Sequence, residues 1–206
     1  MSRIGIMGGT FNPIHIGHLM LAECAREELS LDEVWFIPTG CSYMKAEQLM
    51  SGKGMPLPEE RLEMTELALA GSVFFRCHDI EVKREGNTYT YETLEELKRV
   101  NPEHQFFFIF GADCLYAIEN WKEPERIFAA SDIVAAVRGD ISLDAMGEKI
   151  TQLQNDYGAR ITLLPFRNLE ISSTEIRDRV KEGKSIRYMT PERVISYIEE
   201  KGFYSE

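Results

Sequence analysis

The chain has 206 residues, of which 44% are hydrophobic and 28% charged, and this composition is typical of a globular protein with one substantial core. Its formal net charge of −11 argues against a nucleic-acid partner, because such binding depends on neutralising phosphates with Lys and Arg. No apolar run has the length of a signal-peptide core or a membrane span, so we expect a cytoplasmic location and no membrane partner.

Apolar runs of strand length alternate along the chain with segments of helical period. The predicted strands are Arg3–Met7, Glu33–Ile37, Val73–Cys77 (a continuation through Ile80–Val82 stays open), Gln105–Phe110, Asp132–Val137 and Arg160–Leu164. The predicted helices cover about 17–29, 58–70, 91–100, 124–130 and 143–156, followed by two more helices in a helical part at about 172–206. The strands are near-continuous in Val, Ile and Phe, which favours burial on both faces. The pattern predicts an α/β fold with a doubly wound parallel sheet, in a single domain over 1–206.

Local signals set some boundaries of these elements. The segment Ser172–Glu175 has the pattern of a capping box. Thr190 before Pro191 predicts an N-cap, and Gly202 predicts the end of that helix. The stretch 39–57 is the longest irregular loop, a kind of segment that is often functional. The cysteines show neither a CxxC pair nor zinc-ligand spacing, which predicts free thiols at Cys24, Cys41, Cys77 and Cys114.

The first chemical motif directly follows the first strand. It reads Gly8-Gly9-Thr10-Phe11-Asn12-Pro13-Ile14-His15-Ile16-Gly17-His18 and leads into a helix. Two glycines allow a close approach of the backbone to a ligand, and a helix N-terminus attracts anions. His15 and His18 are three residues apart, so both imidazoles can lie on one side of the first turn. The segment predicts a phosphate site, and the absence of G-x-G-x-x-G argues against a dehydrogenase.

At these residues the chain resembles the nucleotidyltransferases with the HxGH signature, here His15-Ile16-Gly17-His18. Class I aminoacyl-tRNA synthetases share that signature but also need a Lys-Met-Ser-Lys-Ser type loop, which this sequence lacks. The resemblance implies a Rossmann-like nucleotidyltransferase fold. It also implies ATP binding through Gly8, Gly9, Thr10 and Phe11.

A second motif, Ile171-Ser172-Ser173-Thr174-Glu175-Ile176-Arg177, opens a helix near the other end of the chain. Hydroxyls and backbone amides at this helix start can bind an anion. Arg177 lies one turn further along, where its guanidinium can form bidentate hydrogen bonds with a phosphate. In the nucleotidyltransferases that the chain resembles, two such helix N-termini hold the ATP phosphates between them. The resemblance thereby implies ATP contacts from Ser172, Ser173 and Thr174.

A third group of residues comprises Thr88–Leu94 before a predicted helix, Gly111–Leu115 after the strand Gln105–Phe110, and Trp121. With these residues the chain resembles the bacterial nicotinate-nucleotide adenylyltransferases over nearly its full length. The resemblance implies that the mononucleotide contacts Thr88, Tyr89, Thr90, Trp121 and Lys122, with the Trp121 indole stacked on the pyridine ring. An indole face suits an electron-poor ring on physical grounds as well. Gly111, Asp113 and Arg138 follow strand ends and are expected near ATP. Lys45 matches a family lysine, whereas Met44 replaces the usual histidine beside it.

The implied reaction moves AMP from ATP to nicotinate mononucleotide, with Mg²⁺ carried by ATP and no dedicated metal site in the protein. His15, His18, Lys45 and Arg177 are the expected catalytic residues, since positioning and charge stabilisation suffice for this chemistry. Alternatives stay open: another acceptor such as nicotinamide mononucleotide or phosphopantetheine, a cytidylyl transfer, or a non-catalytic nucleotide-binding module. The sequence predicts nothing about the oligomeric state.

Overall fold

The computed structural model describes residues 1–42, 54–137, 143–166 and 169–205. The strands are β1 (Arg3–Gly9), β2 (Glu33–Pro38), β3 (Cys41–Ser42), β4 (Phe75–Cys77), β5 (Asn87–Thr88), β6 (Gln105–Gly111), β7 (Asp132–Val137) and β8 (Ile161–Pro165). The helices are α1 (Ile16–Glu28), α2 (Pro58–Leu69), α3 (Thr90–Val100), α4 (Asp113–Ala117), α5 (Pro124–Ala130), α6 (Leu143–Tyr157), α7 (Ser173–Lys181) and α8 (Glu192–Lys201). A short 3₁₀ turn, Ile118–Asn120, follows α4.

Six strands form one sheet in the order β4-β2-β1-β6-β7-β8, and β3 and β5 form a separate two-stranded sheet. The pairings of β1 with β6, β6 with β7 and β7 with β8 are parallel, with Ile4 opposite Phe106 and Phe108 opposite Ile133. The order runs outward in both directions from β1 and β6, which is the doubly wound arrangement. The predicted α/β fold class is confirmed.

The described chain forms two compact units. Unit 1 comprises Met1–Gly8, Leu21–Trp35 and Tyr89–Asn168, and unit 2 comprises Gly9–Met20, Phe36–Thr88 and Leu169–Glu206. The single domain over 1–206 that we expect from the sequence stays a prediction.

The core of unit 1 is the sheet around β6, whose run of Phe and Ile is buried along its length. Helix α3 lies against α5, and its buried positions Tyr91, Leu94 and Leu97 recur at helical spacing. The resulting apolar stripe explains why this segment is helical while its other face carries Glu and Lys. The neighbouring β7 is buried over Ile133–Ala136, as expected for a strand inside a parallel sheet.

The core of unit 2 lies where α2 packs on α8 and β4. Met64 of α2 and Val194 of α8 are fully buried there, and the Tyr197 hydroxyl donates a 2.6 Å hydrogen bond to Glu63 Oε2. Helix α8 ends at Gly202, whose φ of 67° is the left-handed conformation that glycine adopts most easily. The two helices in the 172–206 part are therefore confirmed.

Several boundary predictions are confirmed, two are wrong, and one open possibility is not realised. Ser172 caps α7 by accepting a hydrogen bond from the Glu175 amide. However, Ile80–Val82 does not continue a strand; it belongs to a turn closed by the Lys83 amide on the Asp79 carbonyl.

The two errors concern a helix cap and a loop. Pro191, not Thr190, occupies the N-cap position of α8, where no side-chain cap hydrogen bond forms, and the Thr190 hydroxyl donates to the Ile14 carbonyl. The stretch 39–57 is not wholly irregular, since β3 lies within it and pairs with β5; most of the rest of it, 43–53, lies outside the described residues. The short elements β3, β5 and α4 were not predicted, because two to five residues are too few to show a periodicity.

Candidate active site

Residues Gly9–His18, called here the histidine loop, run from the last residue of β1 into the first turn of α1 and lie within unit 2. The Gly9 carbonyl accepts a hydrogen bond from the Thr39 amide. Phe11 is buried and has a φ of 46°, a left-handed conformation that is uncommon for a bulky residue. A Cβ at Gly9 would lie 3.0 Å from the Phe11 ring, so this turn has room only for glycine unless the ring moves.

The two histidines form a stacked pair. Their ring centroids are 3.7 Å apart with an interplanar angle of 28°, and the Phe11 ring meets His18 edge-on at 5.1 Å. The His15 amide donates a 3.2 Å hydrogen bond to His18 Nδ1. In a neutral imidazole the remaining proton then lies on Nε2, which makes that nitrogen a hydrogen-bond donor. The loop thus fixes both the orientation and the tautomer of His18.

Gly17 lies between the two histidines, and the packing explains the small residue. A Cβ at this position would lie 3.1 Å from the His15 ring atoms Cε1 and Nδ1. Because the His15 ring is buried and stacked on His18, it has little space to retreat. The glycine of the HxGH signature therefore permits the stacking of its two histidines.

The start of α7 is hydrogen-bonded to the histidine loop inside unit 2. Ser173 Oγ donates to the Pro13 carbonyl at 2.8 Å, and Arg177 Nη1 donates to the Asn12 carbonyl at 2.8 Å. Arg177 Nη2 also donates to Thr174 Oγ1 at 3.1 Å. The two helix N-termini that carry the sequence motifs are therefore brought together, with His18 and Arg177 on elements in direct contact.

Two further residues hold the histidine loop, and the sequence does not signal this role for either of them. Thr190 Oγ1 donates to the Ile14 carbonyl at 2.7 Å, and the Tyr204 hydroxyl donates to Asn12 Oδ1 at 2.6 Å. Along the sequence these residues are 176 and 192 positions from their partners. Only the folded structure reveals them, because a Thr before a helix and a Tyr after one are unremarkable locally.

Arg61 is the most unusual of the residues missed by sequence reasoning. It lies on α2 with 1% of its surface exposed, and it donates to three carbonyls at 2.6 to 3.2 Å, those of Thr10, Thr39 and Gly40. Burial lowers the pKa of its guanidinium, since water is removed from the charged form, while nearby Tyr204 and acidic groups oppose that shift. Arg61 thus joins the loop after β1 to the end of β2.

In unit 1 the aromatic candidate Trp121 follows the 3₁₀ turn. Its ring lies 6.2 Å from that of Phe108 and 6.3 Å from that of Phe110, both on β6. Its Nε1 is buried and makes no hydrogen bond to any residue that the structure describes. Two residues before Trp121, Glu119 forms an ion pair with Lys149 of α6. Trp121 is therefore half-buried on an aromatic wall, and an ion pair fixes the turn that precedes it.

The remaining candidates have mixed surroundings. Thr88 is buried in unit 2 and its hydroxyl donates to the Cys41 carbonyl, so its side chain serves the β3–β5 pair. In unit 1, Tyr89 stacks on Tyr91 at 5.9 Å ahead of α3, with Thr90 as the first helical residue. Gly8 lies in β1 and Gly111 ends β6, Asp113 is exposed at the first position of α4, and Lys122 is exposed beside Trp121.

Two candidates cannot be placed, because Lys45 and Arg138 lie outside the described residues, as does Met44. All four cysteines are described, and none forms a disulfide. In the described ranges no group of three or more His, Cys, Asp or Glu side chains could hold a metal ion. The same ranges contain no helix with the length and apolar character needed to span a membrane.

The chain is similar to known proteins in sequence and in fold. A family model described as cytidylyltransferase-like matches residues 6–179. A structure of a Plasmodium falciparum nicotinic acid mononucleotide adenylyltransferase complexed with NaAD aligns with a TM-score of 0.77, at 22% identity over 99% of this chain and 98% of that chain. A second structure of that enzyme, complexed with APC, has a TM-score of 0.76 at 21% identity over the same shares. At these identities the structures establish the nucleotidyltransferase fold alone.

Sequence relatives give the narrower class. A protein of Lachnoclostridium phytofermentans named "Probable nicotinate-nucleotide adenylyltransferase" is 46% identical over 99% of this chain and 100% of its own length. A Clostridium beijerinckii protein of the same name is 39% identical over 99% of this chain and 100% of its own length. The chain therefore belongs to the cytidylyltransferase-like family and, within it, to the nicotinate-nucleotide adenylyltransferases. The resemblance stated from the sequence motifs is confirmed.

Proposed function

We propose that this protein transfers the adenylyl group of ATP to the phosphate of nicotinate mononucleotide, giving deamido-NAD and pyrophosphate, as a step of NAD biosynthesis. The observation that carries this proposal is the arrangement in unit 2, where Arg177 of α7 is hydrogen-bonded to the loop that carries the stacked histidine pair. Near full-length relatives that bear this enzyme's name support the choice of acceptor.

The chemistry requires little covalent participation by the protein. The 5′-phosphate of the mononucleotide is largely dianionic at neutral pH, so it attacks the α-phosphorus of ATP without a strong general base. A bond forms from the acceptor phosphate oxygen to the α-phosphorus, the bond to the β-phosphate bridging oxygen breaks, and pyrophosphate leaves. The protein lowers the barrier by orienting two polyanions and stabilising the charge that develops between them.

In this proposal the histidine loop and the start of α7 form the phosphate side of the site. His18 donates a hydrogen bond from its Nε2–H to a phosphate oxygen, in the tautomer that the His15 amide favours. Arg177 contributes a permanent positive charge, already oriented by the Asn12 carbonyl. His15 and the Gly8–Thr10 backbone orient the chain of phosphates. Lys45 and Arg138 are proposed as further phosphate contacts on the strength of their sequence positions alone.

Mg²⁺ is proposed to arrive with ATP. Magnesium typically keeps several waters and binds substrate phosphates with one or two carboxylates, and Asp113 is an exposed carboxylate that fits this donor set. When bound, the ion neutralises phosphate charge.

Trp121 is proposed to stack on the pyridine ring, with Tyr89, Thr90 and Lys122 near the mononucleotide. The half-buried indole on its Phe108 and Phe110 wall supports this role, because a fixed aromatic face stacks at a small entropic cost. Small molecules are the proposed partners and the cytoplasm the proposed location.

Pyrophosphate release from ATP tests the proposed function. The purified protein is given ATP and Mg²⁺ with nicotinate mononucleotide, nicotinamide mononucleotide or phosphopantetheine in separate reactions, and the products are identified by mass spectrometry. We expect rapid release and deamido-NAD with nicotinate mononucleotide. Turnover with phosphopantetheine alone, or with no acceptor at all, contradicts the proposal.

A further inference from the structure

Asn12 of the histidine loop is held at two atoms by two different residues. Its side-chain Oδ1 accepts the Tyr204 hydroxyl at 2.6 Å, and its backbone carbonyl accepts Arg177 Nη1 at 2.8 Å. Asn12 is 5% exposed; its bond with Tyr204 is buried, and its bond with Arg177 is partly buried. Shielding from water strengthens such hydrogen bonds. Asn12 therefore links the buried Tyr204 to Arg177, the arginine proposed to bind phosphate.

Tyr204 lies in a position that its surroundings strongly constrain. It follows α8, is buried, and its amide donates to the Gly54 carbonyl at 3.0 Å. Its φ of 64° is a left-handed conformation that an aromatic residue adopts only where its contacts require it. Burial raises the pKa of its hydroxyl, although the charges of Arg177 and Arg61 oppose the shift, so the group remains a donor at neutral pH.

We propose that Tyr204 is a positioning residue for adenylyl transfer: its hydroxyl fixes the Asn12 side chain and so orients the Asn12 carbonyl that holds the Arg177 guanidinium. The inference rests on the proposed function, since it assigns Tyr204 an effect on Arg177 at the phosphates. Tyr204 itself is not expected to contact either substrate. It acts by keeping Arg177 in place before ATP arrives, which is preorganisation of a charge-stabilising group.

The rest of the loop should survive loss of this one bond. Ser173 still holds the Pro13 carbonyl and Thr190 still holds the Ile14 carbonyl. Substitution of Tyr204 by Phe removes only the hydroxyl and leaves the buried ring. The change therefore releases the Asn12 side chain while the fold and the histidine pair are retained.

The test compares Tyr204→Phe with Tyr197→Phe. Tyr197 is a matched control, because it is also buried in unit 2 and its hydroxyl also donates a 2.6 Å hydrogen bond, but to Glu63 of α2. We expect Tyr204→Phe to lower kcat/KM for ATP by about tenfold, the scale of one buried hydrogen bond, with KM for nicotinate mononucleotide unchanged within about twofold. Tyr197→Phe should leave both constants within about twofold of the wild type.

A double variant separates positioning from general stabilisation. If Tyr204 acts through Arg177, then Tyr204→Phe should cost almost nothing further in an Arg177→Gln background. A full tenfold loss in that background, or equal behaviour of the two tyrosine variants, overturns the proposal. Arg177→Gln with wild-type rates would overturn the role of Arg177 and this inference together, whereas an impaired Arg177→Gln beside an unimpaired Tyr204→Phe would sink this inference alone.

Thermal unfolding of each variant shows whether it is folded under the assay conditions, so that its rates can be compared with those of the wild type. All rates are measured well below the lowest melting temperature in the set. Should Tyr204→Phe be too unstable, Asn12→Ala removes the acceptor of the same hydrogen bond and must reproduce the tenfold loss. An Asn12→Ala variant with normal rates contradicts the proposal as well.

Discussion

The histidine loop of unit 2 and the segment 118–123 of unit 1, called here the tryptophan segment, are held in place by different forces. Hydrogen bonds from distant parts of the chain fix the histidine loop: Arg177, Ser173 and Tyr204 lie 160 to 192 positions from their partners. In the tryptophan segment the backbone bonds are local, such as the Trp121 amide to the Ile118 carbonyl. Its long-range support is aromatic packing on β6 together with Glu119, which pairs with Lys149 and accepts a hydrogen bond from Gln152 Nε2.

The difference follows from the chemistry proposed for each region. Stabilising charge at a phosphate requires donors fixed to within a fraction of an ångström, and directional hydrogen bonds supply that precision. Stacking on a flat ring tolerates small shifts, so packing is sufficient. Changes in the histidine loop should therefore lower kcat or stability strongly, whereas changes in the tryptophan segment should mainly raise KM for the mononucleotide.

The largest effect is expected from His18→Ala. Loss of one preorganised donor at the phosphates should lower kcat by about 100-fold or more, while the melting temperature changes little. Steady-state kinetics with both substrates measures this. His104→Ala, which removes a histidine of unit 1 to which we assign no role at the phosphates, is the matched control and should keep near-normal kcat. Full activity in His18→Ala would remove this residue from the mechanism.

Arg61→Met tests how far the histidine loop depends on its buried support. The change leaves carbonyls of Thr10, Thr39 and Gly40 without their donor, so the free energy of unfolding should fall by about 3 kcal/mol. Urea denaturation measures the loss. Arg126→Met, which breaks a partly exposed pair with Glu95, should lower the free energy of unfolding much less than Arg61→Met does, because exposed ion pairs contribute little. Equal losses in the two variants would show that the buried arginine is no more important than a surface ion pair.

Trp121→Ala should act on one substrate only. Loss of the indole face should raise KM for nicotinate mononucleotide by about tenfold, with KM for ATP nearly unchanged, because stacking on an aromatic ring contributes about 1–3 kcal/mol per base. Trp121→Phe retains an aromatic face and should recover most of the affinity. If KM rises equally for both substrates, Trp121 serves packing and the comparison of the two regions fails.

The smallest effect is expected from Lys149→Met. It breaks the ion pair with Glu119 of the tryptophan segment and should raise KM for the mononucleotide by about twofold, with a stability loss of about 1 kcal/mol or less. Lys83→Met, which breaks an exposed pair with Asp79, controls for the loss of a positive charge. A change in kcat rather than in KM would show that the segment also influences the chemical step.

Much of the fold was predictable from the sequence, since long apolar runs and helical periods mark the central elements. The strand Asp132–Val137 and the helix Pro124–Ala130 have the predicted bounds. The predictions failed where a residue with a local structural signal makes a tertiary contact instead. The Thr190 hydroxyl, which could cap a helix, serves the Ile14 carbonyl instead.

For the candidate site, the sequence marked the residues that carry chemistry but not the residues that hold them. His15, His18 and Arg177 stand out because their types and spacing suit phosphate, and Gly17 stands out as part of their signature. Arg61, an arginine in an ordinary helical pattern, gives no sign that its guanidinium is buried beneath the loop after β1. The actual roles of all these residues at the phosphates stay predictions until the variants are measured.

The sequence by itself determined the fold class, the family and the types of side chain available for binding phosphate, because these depend on periodicity and on motifs of adjacent residues. Only the tertiary structure decided which nitrogen of His18 can donate, which carbonyl orients Arg177, and which tyrosine fixes Asn12. Those features depend on directional hydrogen bonds between residues far apart in the chain, and such bonds exist only once the backbone has brought their partners together.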